Sequence, residues 1–190
     1  MKKTATVQPC FCLRKTPFGS VAVLWSIYGD GPKIERVVLS APGFPAQKIT
    51  QTARPDLVSG SCTEVDGVAD LIVAFLNGDD IRFPLEMIRL DLCTQFQQKV
   101  LRAEHGIPRG RVSTYQRIAR HIGNAKGARA VGTALAKNPF PIIIPCHRAV
   151  RSDGTLGGYQ GGVDMKRTLL EMEGVYADTN DRVPTTAFFY

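Results

Sequence analysis

The chain is poor in the residues that build metal centres, disulfide frameworks and membrane spans. Its histidines number three, His105, His121 and His147. Cys10 and Cys12 flank Phe11 on one face of a predicted strand and could begin a metal site. No second pair of ligands at zinc-binding spacing accompanies them, so no metal is expected. The five cysteines, at 10, 12, 62, 93 and 146, are odd in number and scattered, which reads as reduced thiols in a reducing compartment. No apolar run approaches the roughly 20 residues a transmembrane helix needs. The opening MKKTATVQPCFC is basic but has no apolar stretch behind it, so the expectation is a mature, cytoplasmic protein rather than a secreted one.

What is present suffices for a globular protein. In 190 residues, 44% are apolar, enough to core one domain or two small ones. The charge is uneven. Residues 1–90 carry ten Lys and Arg against nine Asp and Glu, and residues 91–175 carry thirteen against six. The excess of +7 in the second segment equals the net charge of the whole chain. That asymmetry points to an anionic partner for the second segment, most simply nucleic acid, although a solvated basic face has the same composition.

Along the chain, 7–14, 19–26 and 34–40 have strand composition and are separated by turns at Pro17-Phe18-Gly19 and Gly29-Asp30-Gly31-Pro32, predicting a meander. Residues 41–63 are expected to be loop or weak helix. Helical spacing of Val65, Val68, Leu71, Ile72 and Phe75 predicts a helix over 65–76 ended by Asn77-Gly78, and 81–90 reads as another short strand. From Asp91 the pattern turns helical. Thr94 can cap a helix burying Phe96, Val100 and Leu101, Ser113 or Thr114 can cap a second over 115–122, and a third is expected over 125–137. Two helices joined by a tight Gly-containing turn in a basic region suggest a helix-turn-helix. On the third helix Ala125, Arg129, Gly132 and Ala136 make a smooth stripe with one cation. Such a face suits either close approach to a nucleic-acid groove or tight helix packing.

The chemistry concentrates in FPIIIPCHRAV, residues 140–150. Phe140 and Ile142–Ile144 are expected to form a buried strand or extended segment delivering Cys146, with His147 and Arg148 following at once. Burial would raise the thiol's pKa and make it inert; an adjacent base or cation could offset that. A core cysteine and an activated nucleophile are both compatible with these residues. Downstream, residues 152–162 gather five glycines around Tyr159, either a loop offering backbone groups to a flat ligand or a flexible connector. A last helix is predicted over 164–173, and the tail is expected to be loose apart from docking by Phe188, Phe189 and Tyr190.

Taken together, FQQKVL, IPRGRVSTYQRIA, ARAVGTAL, NPFPIIIPCHRAV, GGYQGG and KRTLLEMEG resemble, in order and spacing, the motif series of the O6-alkylguanine-DNA alkyltransferases. The resemblance is dense from Thr94 to Gly174 and looser before it. It implies an α/β two-domain chain: a small RNase H-like N-terminal domain (1–90), a mostly helical catalytic and DNA-binding domain with a helix-turn-helix (91–175), and a C-terminal tail (176–190). By resemblance Cys146 accepts the alkyl group from O6 of guanine, and from O4 of thymine, irreversibly and once per molecule. His147 would activate it through a water, Glu173 would orient His147, Tyr115 would donate a hydrogen bond to the departing base, and Asn138 would brace the active-site turn.

The resemblance further implies that Arg129, with Ala128 and Gly132 beside it, enters the minor groove and fills the gap of a flipped nucleotide. Arg109 and Arg111 depart from the pattern by making the turn after the first helix more basic than it needs to be, and are expected to add phosphate contacts. Pro141, Ala149, Tyr159, Gln160 and Gly161 would line the substrate pocket. The implied partner is double-stranded DNA containing O6-alkylguanine, with no cofactor, no metal, no membrane and no obligate protein partner, acting as a cytoplasmic or nucleoid-associated monomer. Other positions depart from the pattern as well. Leu101 stands where many members have Trp, and Gln160 replaces a small residue of the pocket loop. Three other readings share some features: a lesion-binding relative, which would lack the cysteine; a helix-turn-helix regulator, which would carry base-reading side chains; and a cysteine hydrolase, which would turn over repeatedly.

Overall fold

The apolar run Val21–Trp25 lacks polar alternation because it is the middle of a sheet covered on both faces. The computed structural model describes residues 8–190, so the expected first-strand start at Val7 lies outside the described residues. Strands β1 (Cys10–Thr16), β2 (Gly19–Tyr28) and β3 (Gly31–Leu39) form the antiparallel meander. The segment expected as loop or weak helix contains α1 (Ala46–Ala53) and a short strand β4 (Val58–Ser59) parallel to β1, giving the order β3-β2-β1-β4.

Alternate residues of β2 serve different layers. Ala22 and Leu24 pack with Phe11 and Ala46 of α1. Val21, Val23 and Trp25 face α2 (Thr63–Leu76), whose Val65, Val68, Ala69, Ile72, Phe75 and Leu76 are buried. Arg14 reaches from β1 to Asp66 and Asp70, 2.7 Å from each, one turn apart on α2 and so on one face.

The strand expected over 81–90 does not form. Pro84 cannot donate to a ladder, and the segment makes a single parallel bridge to the free edge of β3. There Ile34 N donates to Met87 O at 2.7 Å and Arg89 N to Ile34 O at 2.9 Å. The same edge receives the later, functional segment, because Val37 N donates to Pro139 O at 2.8 Å.

The helical part follows the caps read from the sequence. Thr94 caps α3 (Gln95–His105) and Thr114 caps α4 (Tyr115–His121), each hydroxyl accepting from the backbone N–H three residues on. Helix α5 (Ala128–Ala136) begins three residues later than expected, because Asn124–Gly127 forms a tight turn closed by Gly127 N to Asn124 O at 2.8 Å. Ala125 is therefore outside the helix. Two-residue strands β5 (Ser113–Thr114) and β6 (Ala149–Val150) pair in parallel, and α6 (Val163–Met172) closes the chain's helical series.

The tail docks more extensively than its composition suggests. Val183 is buried, Val112 N donates to Ala187 O and Phe189 N to Val112 O, and Tyr190 Oη donates to Ala103 O at 2.8 Å. One apolar core runs from the sheet through α2 into α3–α5 and the turn at 140–146. Among the described residues no helix is long and apolar enough to cross a membrane.

Candidate active site

Residues 140–144 form a turn, not the expected strand or extended segment. Prolines at 139, 141 and 145 remove the donors a ladder needs, and Ile144 N bonds back to Phe140 O at 2.8 Å. Ile142 is held at φ 74°, a left-handed conformation that costs a β-branched residue on the order of 1–3 kcal/mol. Asn138, 2% exposed, holds the turn from both ends: its Nδ2 donates to Ile144 O (3.1 Å) and its Oδ1 accepts from Phe140 N (2.9 Å). Beyond Pro145 the chain winds into a 3-10 turn, Cys146–Arg148, which places three successive functional side chains in the interior.

His147 is fully buried and its Nε2 lies 2.9 Å from Glu173 Oε1. Arg148 donates from Nε and Nη2 to the same carboxylate, at 2.9 and 2.7 Å, and from Nη1 to Ile107 O at 2.6 Å. Burial works against ionising Glu173, but the hydrogen bonds and charge of these two partners win and hold it down at about 2. With an ionised carboxylate at Nε2, the imidazole donates there and leaves Nδ1 as an acceptor. Nδ1 is buried without a hydrogen-bond partner among the described residues, and burial lowers the imidazole's pKa. The result is a neutral base oriented by an anion. The ring is packed by Phe75 of α2, 5.9 Å between centroids, and by Tyr159 edge-on.

Burial pushes the Cys146 thiol up to about 11, against the lowering by the Asn138 amide. It is a thiol at neutral pH and becomes a nucleophile only when its proton is taken. It opens on a cavity of about 440 Å³ lined by Tyr115, Gly132, Leu135, Ala136, Arg151 and the loop Gly157–Gln160. The Tyr115 ring lies against Gly132, and Gly157, at φ 70°, would place a Cβ 3.3 Å from Tyr115 Oη. Burial raises the Tyr115 phenol, so it remains a donor.

The structure thus brings together Cys146, His147, Glu173, Asn138, Tyr115, Gly132, Tyr159 and Gln160. Arg129 projects from the exposed side of α5 and its guanidinium makes no hydrogen bond or ion pair with the described residues; Ala128 starts that helix, half-buried.

Other expected positions are elsewhere. Pro141 and Ala149 are buried and do not line the cavity; Pro141 bridges to Ile144 within the turn and Ala149 pairs with Ser113 in β6. Gly161 also lies off the lining; a Cβ there would meet Met165 Sδ. Arg109 is not free for phosphate, since it donates to Gly78 O, Asp79 O and Met172 O at 2.8–2.9 Å. It clips the ends of α2 and α6 together. Arg111 donates to Phe188 O in the tail.

Two buried titratable groups near the site escaped the sequence reading. Lys166, fully buried on α6, donates to Ala149 O and Leu156 O, tying β6 to the start of the pocket loop; burial lowers it to about 8. Glu104 is fully buried with both carboxyl oxygens unpartnered among the described residues. Both were signalled by helical spacing, Glu104 on the stripe of Val100 and Leu101, Lys166 beside Met165 and Leu169. The described residues contain no cluster of three His, Cys, Asp or Glu able to hold a metal ion.

Residues 95–175 match the family described as 6-O-methylguanine DNA methyltransferase, DNA binding domain. The methylated-DNA–protein-cysteine methyltransferase of Methanothermobacter thermautotrophicus is 48% identical over 106 residues, 56% of this chain and 59% of that protein's length. The Mycobacterium leprae protein of the same name is 41% identical over 133 residues, 67% of this chain and 77% of the relative. Among solved structures, the Mycobacterium tuberculosis O6-methylguanine methyltransferase superposes with TM-score 0.71 at 31% identity, covering 90% of this chain and 96% of that one. The M. tuberculosis OGT solved in complex with DNA superposes with TM-score 0.69 at 32% identity, covering 87% and 93%. The chain belongs to the methylated-DNA–protein-cysteine methyltransferase family.

Proposed function

We propose that the protein repairs DNA by direct reversal, moving an alkyl group from O6 of guanine, and from O4 of thymine, onto its own Cys146. The observation that carries this reading is the buried series Cys146, His147 and Glu173, opening on a cavity large enough for a purine. The His147 Nδ1 acceptor takes the thiol proton by way of a water molecule, Glu173 stabilises the imidazolium that forms, and the thiolate attacks the alkyl carbon. The S–C bond forms as the C–O6 bond breaks, the electron pair passes into the guanine, and the proton that left Cys146 is returned to the base. Tyr115 donates a hydrogen bond to the base as negative charge develops on it. The thioether has no route back, so each molecule acts once.

A base inside a duplex cannot reach this cavity, so the nucleotide is flipped into it. In this reading α4 and α5 act as a helix-turn-helix whose small residues, Ala128 and Gly132, admit the minor groove, and Arg129 occupies the vacated space. Residues 8–90 form an RNase H-like unit that buttresses the site, through Phe75 against His147 and Arg109 against α2 and α6. Double-stranded DNA is the partner of a monomer working in the cytoplasm or on the nucleoid, without a cofactor.

A duplex whose restriction site is blocked by O6-methylguanine tests the reading. Cleavage should be restored in an amount equal to the protein added and then stop. Continued restoration with time would instead indicate repeated turnover and a hydrolase-like mechanism.

A further inference from the structure

The cavity at Cys146 holds one charged side chain to which the transfer described above gives no part. Arg151 lines its wall together with Tyr115 and Gly157, and no carboxylate is among the lining residues. The Arg151 backbone is pinned, because its N–H donates to Thr155 O at 2.9 Å and its carbonyl accepts from Gly154 N at 3.0 Å. The side chain is exposed, and its guanidinium makes no hydrogen bond or ion pair with the described residues. Gly157 shows where the cation stands. A Cβ on that residue would lie 3.3 Å from Tyr115 Oη and 3.7 Å from both Cγ and Nε of Arg151. Phenol and guanidinium therefore border the same small space. Burial raises the Tyr115 phenol, and the charge of Arg151 pulls it the other way.

We propose that Arg151 is a further catalytic residue of the alkyl transfer, its guanidinium stabilising the negative charge that the guanine takes up as its bond to the alkyl carbon breaks. This role rests on the alkyl-transfer reading. The S–C bond forms as the C–O6 bond breaks, and the electron pair of the broken bond passes into the base. Until the proton that left Cys146 is returned, the base carries a negative charge. Tyr115 meets that charge with a single neutral donor. A guanidinium bordering the same space adds a full positive charge, fixed in place before the reaction begins and uncancelled by any acid in the cavity wall. Its exposure weakens the effect by solvent screening without removing it. The rival role for an exposed arginine is a contact to a DNA phosphate, and the two roles move different quantities. A phosphate contact strengthens binding and steepens its salt dependence, whereas stabilisation of the leaving base acts on the rate of the bound complex.

Single-turnover methyl transfer from an O6-methylguanine duplex, with protein at saturating concentration, tests this in wild type, Arg151→Gln and Arg151→Lys. Duplex binding is measured alongside at salt concentrations from about 0.05 to 0.2 M. The saturating rate constant is insensitive to a loss of folded fraction, which the amount of methyl finally transferred reports separately. It should fall by about tenfold or more in Arg151→Gln, the factor that a barrier change of about 1.4 kcal/mol produces. Arg151→Lys, which keeps the charge, should recover most of that loss. A saturating rate within about twofold of wild type in Arg151→Gln overturns the proposal. If the salt slope of binding is at the same time shallower by about 1, Arg151 belongs on a phosphate instead. Equal losses in Arg151→Gln and Arg151→Lys also overturn it, because the charge would then not be what matters. If the wild-type protein transfers no methyl group, the alkyl-transfer reading itself fails; if it does and the variants match it, only the role of Arg151 fails.

Discussion

Glu104 gives the sharpest physical prediction because its environment is so unfavourable to charge. It is fully buried, neither oxygen has a partner among the described residues, and burial carries its carboxyl from 4.5 to about 8 against the pull of Lys166 and Arg148. The folded chain keeps a proton that the unfolded chain releases. The contribution is thus fully present below 4.5 and fades as pH rises towards 8. At about 1.36 kcal/mol per pH unit, wild type should lose up to roughly 4 kcal/mol between pH 4.5 and about pH 7.5 through this residue.

Glu104→Gln is neutral at every pH and of nearly the same shape. Urea unfolding of both proteins across that range should show wild type losing stability relative to the variant by several kcal/mol as pH rises. Glu173 and His147 are common to both proteins and cancel in the difference, and the depressed Lys166 titrates between about 8 and 10.5, with the opposite sign. Parallel stability curves would refute the argument, because they would mean that the carboxylate is already ionised and compensated in the fold.

Other perturbations separate positioning from chemistry. Glu173→Gln leaves the Arg148 charge and His147 without their anion, and should destabilise by about 3–5 kcal/mol as well as slow transfer. Because the wild-type carboxyl sits at about 2 against 4.5 unfolded, its stabilisation holds above 4.5 and should vanish as pH falls from there towards 2, a convergence visible in denaturant melts. Arg109→Ala should cost roughly 2–3 kcal/mol, the scale of one charge-assisted bond, while the salt dependence of DNA binding stays put; a slope reduced by about 1 would place Arg109 on a phosphate instead. Arg129→Ala should slow methyl transfer from a lesion duplex by about tenfold or more, since unstacking a base costs a few kcal/mol, and the loss should be larger on a duplex than on free O6-alkylguanine in single-turnover kinetics.

Much of this architecture was legible in the residues because their local signals agree with their tertiary roles. The apolar run of β2 announced a strand, and Thr94, and Thr114 with Ser113 as its alternative, announced helix starts that the Thr94 and Thr114 hydroxyls make. The 140–144 segment misled because β-branched residues favour strands until three prolines remove the donors. Residues 81–90 failed similarly, reduced by Pro84 to one bridge. The tail's docking rests largely on backbone bonds to Val112, alongside Tyr190 reaching Ala103 O, and composition does not encode those backbone bonds. At the site, motif order named Cys146, His147 and Glu173, and the fold puts His147 against Glu173, but motif order could not show that Arg148 shares the Glu173 carboxylate. Nor could it show that Arg109 is spent on three carbonyls, since both depend on contacts between residues tens of positions apart.

The central claim is that Cys146 itself receives the alkyl group. Peptide and intact mass spectrometry after mixing with an O6-methylguanine duplex tests it most directly, with Cys146→Ser in parallel. The account predicts one methyl group per molecule on the peptide containing Cys146, restored guanine in the DNA, and neither change with the variant. Binding of the duplex without a methyl group on that peptide would contradict it.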